Sequence, residues 1–152
     1  MSYWLMKSEP DVFGIDRLQR EQTTIWDGVR NYQARNFLKS MQVGDRAFFY
    51  HSNTKLPGIV GLMEITAALV VDPSQFDGDS EYFDPKATLE RPRWHTVKVK
   101  YVQTFDRALS LSELRATFTT EELLVVKQGN RLSVLPVLDE VADRILQMVS
   151  GA

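Results

Sequence analysis

The chain of 152 residues has no cysteine and only two histidines, His51 and His95. These absences exclude thiol nucleophiles, disulfides, cysteine-based zinc sites and any three-histidine metal centre. No apolar run approaches the roughly 20 residues of a membrane-spanning helix, and the N-terminus lacks the basic-then-apolar pattern of a secretory signal. The sequence therefore reads as soluble and cytoplasmic, with no cofactor, metal or membrane partner expected. Positive charge is not in excess either: 18 Lys and Arg stand against 20 Asp and Glu, a net charge of -2. That balance argues against a protein that grips duplex nucleic acid mainly by neutralising phosphates. Nucleophile elbows, phosphate-binding loops and dinucleotide fingerprints are missing as well, and the spacing in Gly58-Ile59-Val60-Gly61 does not cradle a phosphate.

What is present is a chain long enough to fold as one domain over residues 1–152, burying roughly two thirds of its unfolded surface without staples. Tyr3 to Lys7 reads as a buried first strand ending in a Ser8-Glu9-Pro10-Asp11 turn. Ile15 to Gln22 and Tyr32 to Met41 carry apolar residues at helical spacing. Arg46 to His51 and Gly58 to Leu69 are apolar and β-prone, and Trp94 to Thr104 alternates toward one wet face. Ser110 with Glu113 and Thr119 with Glu122 have capping-box spacing, each predicting a short helix. A last amphipathic helix follows from Leu138, Val141, Ala142, Ile145 and Val149. Strands bracketed by helices, with few βαβ units, predict an α+β domain whose sheet curls into a small barrel flanked by short helices.

The richest segment runs from Trp26 to Asn36. Trp26 stands before the Asp27-Gly28 turn, and amides and arginines follow with no carboxylate between Gly28 and Gly44. A large ring beside amide and guanidinium donors suits a planar, hydrogen-bonding ligand such as a nucleobase. Arg30, Arg35 and Lys39 lie in this acid-free stretch, and Arg91 and Arg93 open a second one running to Gln103. Together they form either a basic face or an ordinary solvated surface. Lys7-Ser8-Glu9 is the most enzyme-like cluster, a lysine base if burial lowers its pKa and otherwise a strand end. His51 is either a donor to a ligand or a structural histidine. Trp4 belongs to the core, and so, by its place at a strand start, does Trp94. Gly58 and Gly61 let a strand bend or let backbone approach a ligand.

Five blocks carry a family resemblance: Tyr3 to Pro10, Trp26 to Asn36, Phe49 to Ser52, Pro57 to Gly61 and Arg131 to Val137. In order and across nearly the whole chain they resemble the EVE domain family. The resemblance implies a PUA-like fold related to the YTH readers of methylated adenine in RNA. It makes Trp26 one wall of an aromatic base pocket, with Lys7 and Ser8 at its floor or mouth and Asn31 adjoining. YTH domains have a second wall before the strand that resembles Trp94 to Thr104. Here that loop holds Phe76, Tyr82 and Phe83 and no tryptophan before Trp94. EVE domains are associated with modified bases in DNA, modified cytosines among them.

The resulting expectation is a non-catalytic reader of a modified cytosine or adenine in DNA or RNA. Its base pocket comprises Trp26, Lys7, Ser8, Asn31, His51, Ser52, Gly58, Tyr82 and Phe83. Flanking phosphates fall to Arg30, Arg35, Lys39, Arg91 and Arg93. The rival is a hydrolase or amidohydrolase of a modified nucleoside, resting on Lys7, Ser8 and Glu9. For the reader, Trp26→Ala is expected to abolish binding while leaving the thermal midpoint nearly unchanged.

Overall fold

In the computed structural model, which describes residues 1–150, strand β1 (Tyr3–Ser8) lies parallel to β3 (Arg46–His51), with Leu5 opposite Phe48 and Ser8 opposite His51. Side chains alternate faces along a strand, and here both faces are covered. Trp4, Met6, Ala47 and Phe49 enter one buried cluster, while Leu5, Phe48 and Tyr50 enter the other. Burial on both sides is why these strands read as unbroken apolar runs.

Two long antiparallel strands, β4 (Gly58–Val71) and β5 (His95–Ser110), extend the sheet. Short strands β2 (Thr23–Ile25) and β6 (Val134–Val137) bound it, in the order β2-β5-β4-β3-β1-β6. The expected barrel is thus a six-stranded mixed sheet that does not close. Proline lacks a ladder donor and is tolerated at a sheet edge, and Pro136 sits on the edge strand β6. Helices α1 (Pro10–Phe13), α2 (Ile15–Glu21) and α3 (Tyr32–Ser40) precede β3. Ile15, Leu18, Ala34 and Leu38 place α2 and α3 against the Trp4 face. The helices α4 (Leu111–Thr117) and α5 (Asp139–Val149) cover the Leu5 face through Leu114, Val141, Ala142 and Ile145.

The capping signals had two outcomes. Ser110 and Glu113 form the reciprocal box at the start of α4. Thr119 and Glu122 also bond reciprocally, at 2.9 and 3.2 Å, yet no α-helix follows. Leu123, Val125 and Val126 are all buried, so the chain tightens into one 3-10 turn at Leu124–Val126. Three side chains at those positions cannot share one stripe of a helix, and burial overrides the cap.

Asp45 pins the start of β1. Its buried carboxylate accepts from the Ser2 and Gln42 backbone N–H groups and from the Trp4 indole N–H, at 2.9, 3.0 and 3.0 Å. Burial alone would raise its pKa, but these hydrogen bonds hold the carboxyl below the usual carboxylate value. A depressed native pKa stabilises the fold above the unfolded-state value of about 3.9, and that stabilisation is lost as pH falls through the native pKa. Replacing Asp45 by Ala is expected to lower the neutral-pH plateau by about 2 kcal/mol, through orphaned donors, and to flatten the acid limb. Urea unfolding across pH checks both; an acid limb as steep as the wild type would assign it to other carboxylates.

Candidate functional site

The ends of β1, β2 and β3 meet at one side of the sheet, and there the chain leaves a cleft of about 1220 Å³. Lys7, Ser8 and Glu9 come from the end of β1 and the residue after it, Ile25 from the end of β2, Trp26 to Asn31 from the turn that follows, and Ser52 and Asn53 from the loop after β3. Glu81 and Tyr82 come from the long loop between β4 and β5, and Arg131 and Ser133 from the approach to β6. The volume exceeds that of a drug-sized pocket, roughly 300–1,000 Å³, leaving room for a base and part of its backbone.

Trp26 lines this cleft while being only 6% exposed. Its ring packs edge-on against Phe49 (centroids 5.4 Å, 81°) and Phe13 (6.5 Å, 76°). Its backbone is bonded to β5, the N–H to the Val97 carbonyl at 3.0 Å and the carbonyl to the Thr96 hydroxyl. The indole is therefore a rigid wall that belongs to both the core and the cleft.

Tyr82 reaches the same cleft from the β4–β5 loop. Gly28 has φ +86°, a left-handed backbone that favours glycine, and a Cβ there would lie 2.6 Å from the Tyr82 ring. Buried Asp72 joins the two segments: its Oδ2 accepts from the Gly28 N–H at 2.9 Å and from Arg30 at 3.0 Å. Arg30 in turn donates to the Tyr82 carbonyl through Nε (3.0 Å) and Nη2 (2.8 Å) and to Ser74 Oγ at 3.0 Å. Burial, then the neighbouring Glu81 carboxylate, pushes the Tyr82 hydroxyl up in pKa and keeps it a neutral donor.

At the end of β1, burial lowers the pKa of Lys7, whose ammonium lies 5.8 Å from the Tyr50 ring centroid. Ser8 Oγ donates to the Phe13 carbonyl at 2.6 Å, and Glu9 Oε1 accepts from the Asn53 amide at 2.9 Å. A serine nucleophile needs its proton directed at a base; Ser8 directs it at a carbonyl. Asn31 caps α3, its Oδ1 accepting from the Ala34 N–H at 2.9 Å, which leaves the Nδ2 donors for the cleft. Ser52 lines the cleft beside Ser8, bonded to it through the backbone.

Several expected site residues have other tasks. His51 Nε2 accepts from the Ile15 N–H at 3.2 Å, and the ring meets Phe49 edge-on; it anchors the start of α2 and is absent from the cleft lining. Burial lowers its pKa, favouring the neutral ring that this bond requires. Gly58 serves strand pairing, since a Cβ there would stand 2.2 Å from the Leu109 carbonyl oxygen. Phe83 is 43% exposed and lies outside the cleft lining.

The expected phosphate contacts divide in the same way. Arg30 has its guanidinium N–H groups committed within the protein, as described above. Arg93 pairs with Asp84 at 3.0 Å and also donates to the Tyr32 hydroxyl. Arg35 lies over the Tyr32 ring at 4.9 Å and donates to the Arg93 carbonyl at 3.1 Å. Trp94, stacked on Tyr32 (5.1 Å, 18°), donates its indole N–H to Asp84 at 2.8 Å. These arginines brace an aromatic pair against the β4–β5 loop. Lys39 and Arg91 are exposed, and among the described residues neither forms an ion pair. Asp27, Glu81, Arg131 and Ser133 line the cleft without having been singled out as site residues. Asp27 was adjacent to Trp26 in the signal already read; the others come from distant segments with no local pattern.

Among the described residues no helix is long and apolar enough to cross a membrane, and no group of three or more His, Asp or Glu is gathered to hold a metal ion.

Comparison with protein families matches residues 2–148 to the EVE domain. Thymocyte nuclear protein 1 of Homo sapiens is 42% identical over 165 residues, covering 97% of this chain and 73% of that protein. A solved structure of a Pseudomonas syringae protein is 48% identical with a TM-score of 0.93, covering 97% of this chain and 99% of that one. The crystal structure of the human THYN1 protein in complex with 5-methylcytosine-containing DNA is 40% identical with a TM-score of 0.90, covering 100% of this chain and 99% of that one. The Mmi1 YTH domain, solved with RNA, shares the fold at 9% identity with a TM-score of 0.55, covering 98% of this chain and 77% of that one.

Proposed function

The chain belongs to the EVE domain family, and from that premise we propose that it is a non-catalytic nucleic-acid reader that accepts a modified nucleobase, a methylated cytosine in DNA, in the cleft walled by Trp26. The observation that carries this reading is the cleft itself. It sets a rigid indole, the Tyr82 ring, and donors from Lys7, Asn31 and Arg131 around one space of base-plus-backbone size. The human relative solved with 5-methylcytosine-containing DNA matches this chain along its full length.

Physical magnitudes are consistent with such a role. Turning a base out of its helix costs a few kcal/mol, and stacking on an aromatic wall contributes about 1–3 kcal/mol. The two nearly cancel, so selectivity rests on hydrogen bonds to the base edge and on the shape around the methyl group. Phosphate attraction falls to cations that form no ion pair among the described residues, Lys7 and Arg131 at the cleft and Lys39 and Arg91 outside it.

Fluorescence anisotropy with a duplex carrying one 5-methylcytosine, against the unmethylated duplex, tests the reading. Tighter binding of the methylated duplex is expected. A second titration compares salt dependence: shallow for the free modified nucleoside and steeper for the oligonucleotide, in proportion to the phosphates engaged. Equal affinity for both duplexes would remove the reader assignment, and equal salt slopes would remove the phosphate contacts. Conversion of a modified nucleoside to product, followed by mass spectrometry, would instead support the hydrolase reading.

A further inference from the structure

The cleft holds three carboxylates, and two of them have neighbours. Glu9 accepts from Asn53, and Glu81 lies beside the Tyr82 hydroxyl. Asp27 is different. It follows the Trp26 wall directly and lines the cleft; its backbone N–H donates to the Ile25 carbonyl at 3.0 Å, and among the described residues no group donates a hydrogen bond to its carboxylate. The turn that carries it is held on both sides, by the Trp26 bonds to β5 and by the Gly28 N–H to Asp72. Burial and the nearby Asp72 charge raise its pKa, while Arg30 and Arg17 act in the opposite sense. Held beside a stacking wall and open to the cleft, this carboxylate is an acceptor available to a ligand that brings an N–H donor, and such a charge-assisted bond strengthens as the ligand displaces water from it.

Resting on the reader assignment above, we infer that Asp27 is the specificity-determining residue of the cleft, accepting the exocyclic N4–H of a methylated cytosine and rejecting thymine. The two bases carry the same methyl group at C5, so an apolar wall cannot separate them. They differ at C4, where cytosine offers an amino donor and thymine a carbonyl acceptor. A carboxylate bonds the first and repels the second. Asparagine at the same place has both a donor and an acceptor, and rotating its amide serves either base.

The test uses the full chain and three duplexes identical except for one base opposite guanine: 5-methylcytosine, cytosine or thymine. The thymine–guanine mismatch opens more easily, so any bias from base flipping works against the inference. Wild type is expected to bind the methylcytosine duplex about tenfold to a hundredfold more tightly than the thymine duplex. Asp27→Asn is expected to bring the ratio to within about threefold by gaining affinity for thymine, and Asp27→Ala to lose methylcytosine affinity without that gain. Asp27 is exposed, so both variants should melt with the wild type. A wild-type ratio retained in Asp27→Asn overturns the inference while leaving the reader assignment standing. A wild type that binds all three duplexes equally, or none, overturns both.

Discussion

Trp26→Ala is expected to weaken binding of a methylated duplex by about tenfold to a hundredfold, the value of one lost aromatic stack, and to destabilise the fold at the same time. The second effect follows from packing. A tryptophan 6% exposed and in edge contact with Phe13 and Phe49 leaves a cavity when truncated, at a cost of about 3–5 kcal/mol. In a domain of this size that lowers the thermal midpoint by about 10 °C. The expectation from the sequence, that the midpoint would hardly move, is thereby corrected: the ring serves core and cleft together. Two companion variants separate the effects. Trp26→Phe keeps an aromatic face and should retain much of both affinity and stability. Leu114→Ala empties a fully buried site in the cluster on the opposite face of the sheet, and costs about 2–5 kcal/mol; its binding should equal wild type at temperatures where both are folded. If Leu114→Ala loses affinity as Trp26→Ala does, the loss reports unfolding and the indole is not a ligand wall.

Asp72→Ala is the second large effect. Asp72 is 1% exposed and satisfies Gly28, Arg30 and both the N–H and the hydroxyl of Ser74. Removing it leaves a half-buried guanidinium without its counter-charge, for which about 3–5 kcal/mol is the expected loss. The functional consequence is separate. The turn after Trp26 and the loop bearing Tyr82 are fastened to each other through Asp72 and Arg30, so both rims of the cleft loosen. Affinity should fall even though Asp72 does not line the cleft, and hydrogen exchange should quicken at Gly28 and around Tyr82. Exchange unchanged at those positions, with stability lowered, would confine Asp72 to a purely structural role.

Much of the architecture was legible because burial leaves a periodic trace. The middles of β1 and β3, Trp4–Met6 and Ala47–Tyr50, are apolar without interruption since each alternates between two covered faces. Ser110 announced α4 because a cap acts over three residues, while α3 showed through its apolar spacing and its Asn31 cap came to light only in the structure. Short edges were less visible: Thr23–Ile25 has only three residues and takes its identity from β5 beside it. The Thr119–Glu122 pair shows the limit of a local signal, since its hydrogen bonds form but the core claims the residues that would have continued the helix.

For the site, the ring before a turn singled out Trp26, and the family resemblance added Lys7, Ser8 and Asn31; all four line one cleft. Ser52 and Tyr82 also line it; His51, Gly58 and Phe83 do not, because a histidine at a strand end or a glycine in a strand looks the same whether it faces a ligand or a neighbouring strand. The arginines misled for a related reason. Their availability depends on partners that sequence proximity cannot reveal: Arg30 meets Asp72 across 42 positions and Arg35 meets Arg93 across 58. By itself the sequence determined which residue types are present, the faces they bury and the family they resemble. Only the tertiary structure decided which charged groups are neutralised internally and which, like Asp27, are left facing the cleft, because hydrogen-bonding capacity is allocated by three-dimensional contact.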